Sequence, residues 1–134
     1  MSRNTSDPSQ KFDLALATLD ARRSVPPKQL GEPGPDPDTL MRLLRSAVRV
    51  PDHGKRVPFR FISFSGDARH AFGERLAQRS RQRDPDASDA VIEKDRLRFS
   101  HAPLVVAVIG ILGPDEKIPE SERFSTASCV CFAL

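Results

Sequence analysis

A chain of 134 residues with 38% apolar and 29% charged residues has room for one folded domain and is not disordered in bulk. Its net charge of +3 is spread over Arg residues set among Asp and Glu, which argues against a polyanion-binding tail. No stretch reaches the ~18 apolar residues of a membrane span, and with no Trp or Tyr the core must lean on eight Phe and on Leu, Val and Ala.

Residues 1–10 are polar, lack the apolar run of a secretory signal and read as a disordered tail. Residues 11–134 read as the folded part. Across residues 12–23, Phe12, Ala15, Leu16 and Leu19 recur at helical spacing, and the helix should end near Ser24 because Pro26 and Pro27 forbid its continuation. The Pro-rich stretch 25–38 reads as an extended connector. Asp36-Pro37 then opens a second helix, with Asp as N-cap, Pro at the first helical position and Leu40, Leu43, Leu44 and Ala47 as the buried stripe. Pro51 stops it, and Asp52-His53-Gly54 forms a turn.

Phe59-Arg60-Phe61-Ile62-Ser63-Phe64 is expected as a strand, ended by Gly66-Asp67, with its Phe residues in the core. A basic helix over 68–83 should turn Ala68, Ala71, Phe72 and Leu76 inward and leave its Arg residues solvated. A further helix is expected over 88–99. The run from Pro103 to Leu112 is continuously apolar, as in a strand covered on both faces. Helices alternating with a few strands indicate a layered fold with helices around a small central sheet, of the α+β class.

Ile118-Pro119-Glu120-Ser121-Glu122 looks like a helix start with acids at the positive end of the dipole. Phe124 onward is nearly all apolar, which predicts a helix buried in the middle of a core. It ends with no polar last turn and no Gly cap, so the chain is expected to be the amino-terminal portion of a larger domain. Cys129 and Cys131, two apart on that helix, point about 200° apart and cannot pair with each other; both are expected as small buried hydrophobes. His70 and His101 lack a Cys, His or acidic partner at ligand spacing, so no metal site is expected.

Chemistry concentrates in two cationic clusters, Arg22-Arg23-Ser24 and Arg49-Val50-Pro51-Asp52-His53. Three guanidinium groups, a hydroxyl and an imidazole suit a phosphate and the polar edge of a cofactor. Arg22 and Arg23 near a helix C-terminus are also what the macrodipole favours with no ligand present, and Arg49 could equally be a helix-end cation.

Taken in order, Arg22-Arg23-Ser24, Arg49-x-Pro51-Asp52-His53, Pro58-Phe59-Arg60-Phe61 and Ala102-Pro103-Leu104-Val105-Val106 resemble the small single-domain FMN-dependent NAD(P)H nitroreductases. Ala127-Ser128-Cys129-Val130-Cys131-Phe132-Ala133 resembles the start of that family's long central helix. The resemblance implies an α+β flavoprotein that works as a homodimer with FMN at the subunit interface; a cytoplasmic setting is expected from the sequence, which shows neither a signal run nor a span. Hydride passes from NAD(P)H to the flavin and on to a nitro compound or quinone-like acceptor, and no side chain is a covalent catalyst. By position, Arg22, Arg23 and Ser24 would hold the FMN phosphate, while Arg49 and His53 would approach the flavin of the partner subunit. A remnant of this fold that no longer binds FMN is the alternative. A nucleic-acid-binding module is disfavoured by the mild charge, and no membrane partner is expected.

Overall fold

The structure, a computed structural model, describes residues 7–134. The first six residues of the expected tail lie outside the described residues. Residues 8–10, also assigned to that tail, instead form the first turn of α1 (Pro8–Ala21). Asp7 caps this helix by accepting from Ser9 N at 3.0 Å, with Pro8 at the first helical position, the same device that starts the next helix. The apolar stripe of α1 is not buried: Phe12, Leu16 and Leu19 are 62%, 43% and 56% exposed. The helix stops at Ala21, so Arg22 is already extended (φ −64°, ψ 129°) and the cationic cluster lies past the last turn.

The connector crosses a short 3-10 turn at Pro27–Gln29 before α2 (Pro37–Ala47). Asp36 caps α2 as expected, accepting from Thr39 N at 2.7 Å and from the Thr39 hydroxyl at 3.0 Å. Of its expected stripe, Ala47 is fully buried, Leu40 and Leu44 are half-buried, and Leu43 is exposed.

Strand β1 (Phe59–Ser65) pairs antiparallel with β2 (Leu104–Gly110), from Phe59 opposite Gly110 to Ser65 opposite Leu104. Alternation along β1 places Phe59 and Phe61 on one face and Phe64 on the other. On the first face Phe59 joins Ala47, Ala127 and Val130 in the core, with Val50, Phe61 and Val108 packed against it. On the second face Phe64 stacks on Phe72, ring centroids 4.6 Å apart. The result is three layers: α2 and α5 (Glu120–Ala133), the two-stranded sheet, then α3 (Asp67–Arg83) and α4 (Asp89–Arg96). The apolar run of β2 was expected to be covered on both faces. It is only half-buried along its length, because one strand pairs with it and the layers above and below are thin.

The inward face of α3 differs from expectation. Ala68 and Ala71 are exposed, while Gly73, Ala77 and Ser80 are buried and Phe72 and Leu76 half-buried. The reason is α4, which crosses so closely that a Cβ on Gly73 would lie 2.1 Å from the carbonyl oxygen of Arg96. Small residues, rather than the most apolar ones, define that seam. The bond from the Ser80 hydroxyl to Asp95 Oδ2 is buried in it, and Asp95 Oδ1 accepts from Arg98.

Helix α5 also departs from expectation. It buries a single stripe at i, i+3, i+4 and i+7, Arg123, Thr126, Ala127 and Val130, while Phe124 and Phe132 are each 60% exposed. Cys129 and Cys131 flank that stripe and are exposed free thiols, not buried hydrophobes. The pattern of residues 124–134 is apolar all round, but only one side of the helix has the sheet to rest on.

Three carboxyls are held below their ordinary pKa. At Asp95 the largest cause is the Ser80 hydroxyl, followed by Arg98; at Asp36 it is the Thr39 amide; at Asp115 the amide of Ile118, then that of Lys117. Each favours the ionised form in the folded state, so the unfolded chain takes up protons first as pH falls. Their stabilisation is present in full above the ordinary carboxyl value of ~4 and drains as pH drops through the lower folded values. Thermal melts should therefore show Tm falling below about pH 4. The Asp95→Asn variant should start from a lower Tm at neutral pH and lose less on acidification; an unchanged acid slope would remove Asp95 from this account.

Candidate functional site

The turn after α2 is built to present His53. The Asp52 carboxylate accepts from the amides of Arg56 (3.2 Å) and Val57 (2.8 Å), pulling the chain into a tight loop. Gly54 occupies φ +70°, a conformation that penalises a Cβ. Lys55 and Val57 also sit at positive φ, 51° and 47°, so the loop stores backbone strain, most of it at the β-branched Val57.

Two bonds staple this loop to α5. His53 Nδ1 meets Glu122 Oε2 at 2.6 Å in the first turn of the helix, and the Thr126 hydroxyl donates to the Pro51 carbonyl at 3.1 Å one turn later. The buried Arg123 donates from Nη1 to the Gly113 carbonyl at 2.6 Å and so fixes the approach to α5. Asp115 caps that approach, accepting from the amides of Lys117 (2.9 Å) and Ile118 (3.0 Å) and pairing with Arg56 Nε at 3.0 Å. Pro51, His53, Glu122, Ser125, Thr126 and Cys129 line an open cavity of about 290 Å³.

Glu122, Thr126, Arg123 and Asp115 were not singled out from sequence. In the sequence Glu122 is an acid complementing the helix dipole. Nothing in a sequence spacing of 69 residues marks it as the partner of His53.

The bond to Glu122 settles what His53 offers. A carboxylate accepts, so Nδ1 carries the proton and Nε2 is the nitrogen left for a ligand. Glu122→Ala should release the ring to the Nε2–H tautomer that water-exposed imidazole prefers. Nitrogen chemical shifts of the His53 side chain should show Nδ1–H in the parent and a switch in the variant; identical tautomers in both would mean the contact does not govern the ring.

The other predicted residues lie elsewhere. Arg22 places its guanidinium carbon 5.3 Å from the centroid of the Phe132 ring, near the far end of α5. Arg23 and Ser24 are exposed on the extended segment that follows. Arg49 is exposed at the exit of α2, its amide bonded to the Ser46 carbonyl. Arg22, Arg23 and Arg49 form no ion pair among the described residues. Glu122 and Phe132 are ten residues apart on one helix, roughly 15 Å along its axis. Within one chain, therefore, the Arg22–Ser24 cluster and His53 sit at opposite ends of α5 and are not brought together.

Among the described residues no three His, Cys, Asp or Glu side chains gather as a metal-binding set, and no helix is long and apolar enough to cross a membrane.

This architecture has a known counterpart. A nitroreductase-like family protein from Bacillus cereus superposes with a TM-score of 0.69 over 88% of this chain and 60% of that one, at 18% identity, which establishes the shared fold. The family model for the nitroreductase family matches residues 19–133, from the end of α1 through α5. The chain belongs to the nitroreductase family. Among its relatives, the Escherichia coli K12 protein named "Putative NAD(P)H nitroreductase YdjA" is 32% identical over 120 residues, 90% of this chain and 63% of that protein. A Haemophilus influenzae protein named as an NAD(P)H nitroreductase in the same terms is 29% identical over 121 residues, 90% and 64% respectively. The chain thus spans somewhat under two thirds of the length of the curated relatives it matches.

Proposed function

We propose that this chain acts in an FMN-dependent NAD(P)H oxidoreductase that reduces electron-poor acceptors such as nitro compounds or quinones, with the cofactor held between two subunits. The observation that carries the reading is family membership joined to three guanidiniums, Arg22, Arg23 and Arg49, that have no acidic partner among the described residues. Cations held apart from carboxylates are the donor set a phosphate dianion requires, and the Ser24 hydroxyl adds a neutral donor beside two of them. The residues present therefore fit FMN.

In this reading Arg22, Arg23 and Ser24 bind the phosphate of one FMN. Arg49 and His53 of the partner subunit meet the isoalloxazine end, which accounts for the separation of His53 from the Arg22–Ser24 cluster within one chain. When bound, FMN supplies two-electron redox chemistry between a reduced nicotinamide and the acceptor. Arg49 favours negative charge developing near it. His53, its Nδ1–H directed to Glu122, presents Nε2 as acceptor when neutral and as donor when protonated, so it can hold or give a proton there. A homodimer is further supported by the exposed apolar side chains of α1 and α5, Phe12, Leu14, Leu19, Phe124 and Phe132, which are unfavourable to leave in water. The reading includes a cytoplasmic setting, where reduced nicotinamides are available.

The purified protein should be yellow or become so with FMN, and NAD(P)H should bleach it under nitrogen until a nitroaromatic or quinone restores the colour. A protein that is colourless once excess FMN has been removed by desalting would overturn the reading.

A further inference from the structure

A second cavity, on the opposite side of the sheet from His53, has a different chemistry. It lies between α3 and the end of α4 and encloses about 330 Å³, a volume suited to a small ligand. Its floor is aromatic. Phe72, stacked on Phe64, meets Phe99 at a tilt of 37° with ring centroids 5.1 Å apart, and both Phe72 and Phe99 are half-buried, so ring surface is left at the cavity.

The rim is cationic. Arg79 and Arg83 stand one turn apart on α3 and Arg98 faces them from beyond α4. One carboxylate, Asp95, shares the lining, and both of its oxygens are already engaged, one by the buried Ser80 hydroxyl and one by Arg98. Arg79 and Arg83 have no ion pair among the described residues, although neighbouring Arg81 is paired with Asp89 and Arg96 with Glu74 and Glu93. Like charges at i, i+4 repel, and Asp95, the one carboxylate of a lining with three guanidiniums, acts on Arg83 as well as Arg98 and so offsets them only in part.

The geometry points to a binding site for a small aromatic anion, an aryl carboxylate or aryl phosphate, in this α3–α4 cavity: its ring rests against Phe72 and Phe99 and its charge meets Arg79 and Arg83. The site is separate from the proposed flavin site and stands or falls without it. An apolar floor alone would take any hydrophobe, and exposed cations alone would take any anion. The two together select a molecule with both parts.

Because the chain has no Trp or Tyr, the fluorescence of 1-naphthoate can be followed against a dark protein background. Titration of the full chain should saturate with a Kd of about 0.1–1 mM, as one desolvated ring and a charge-assisted contact allow. Arg79→Ala with Arg83→Ala should weaken binding at least ~10-fold, and neutral naphthalenemethanol should bind the parent ~10-fold more weakly than naphthoate. Arg75→Ala with Arg81→Ala, the same charge change elsewhere on α3, and Arg22→Ala with Arg23→Ala should each stay within about twofold. Absence of saturation, equal loss in the Arg75/Arg81 control, loss in the Arg22/Arg23 variant, or equal affinity for the neutral analogue would each overturn the proposal.

Discussion

Replacing Arg22 and Arg23 together by Ala is expected to weaken FMN binding by about 100-fold at low salt, because two charge-assisted bonds to phosphate at ~1.5 kcal/mol each sum to about 3 kcal/mol. The lower end of the range applies because both residues are exposed, and solvent screens exposed charges. The matched control, Arg75→Ala with Arg81→Ala, removes the same net charge from α3 and should change affinity less than about threefold. Flavin fluorescence quenching measures both. Loss of Arg22 also removes its contact with Phe132, so melting curves should accompany the titration. A stable variant with weak FMN binding supports phosphate recognition; equal losses in the two double variants would reduce the effect to net charge.

Gly73→Ala should destabilise the fold by about 3 kcal/mol, lowering Tm by roughly 10 °C in a domain of this size. Helix propensity predicts the reverse sign, since Ala in a helix interior is ~1 kcal/mol better than Gly. Packing wins because the added Cβ would sit 2.1 Å from the Arg96 carbonyl oxygen, which is backbone and has no rotamer to escape into. Helix α4 must retreat by about 1 Å, opening the seam that holds the Ser80–Asp95 bond and disturbing the Phe72–Phe99 contact above it. Differential scanning calorimetry decides between the signs. A variant as stable as the parent would mean α3 and α4 do not cross this closely.

Sequence pattern is informative wherever a local rule has a local cause. Asp36-Pro37 announces α2 because the cap and the fixed φ both act within one turn. Asp7-Pro8 announces α1 by the same logic, yet a polar stretch read as tail conceals it. Both strands are legible from β-branched and aromatic runs. What periodicity cannot convey is which apolar face finds a neighbour. Phe12, Leu16 and Leu19 mark a helix correctly but not its burial, since the described chain supplies no layer to cover α1. The reverse holds on α3, where Gly73 and Ser80 are buried because α4 approaches there.

The candidate site divides in the same way. Arg22, Arg23, Ser24, Arg49 and His53 are identifiable because charge and turn residues stand out in a chain with little other chemistry. Glu122 and Thr126 are not, because their relation to the loop arises only when α5 docks on α2. Arg123 resembles one more surface cation, yet it is 7% exposed and holds a carbonyl beneath the site.

Subunit complementation tests the shared site most directly. Chains carrying Arg22→Ala with Arg23→Ala are co-expressed with chains carrying Arg49→Ala with His53→Ala, each pair alone having lost tight FMN binding. In a mixed dimer one interface combines both damaged clusters and the other combines both intact ones, so random pairing should restore tight binding at about a quarter of all sites. No recovery above either variant alone would place all four residues in sites built within one chain, or in no site at all, and would contradict the account.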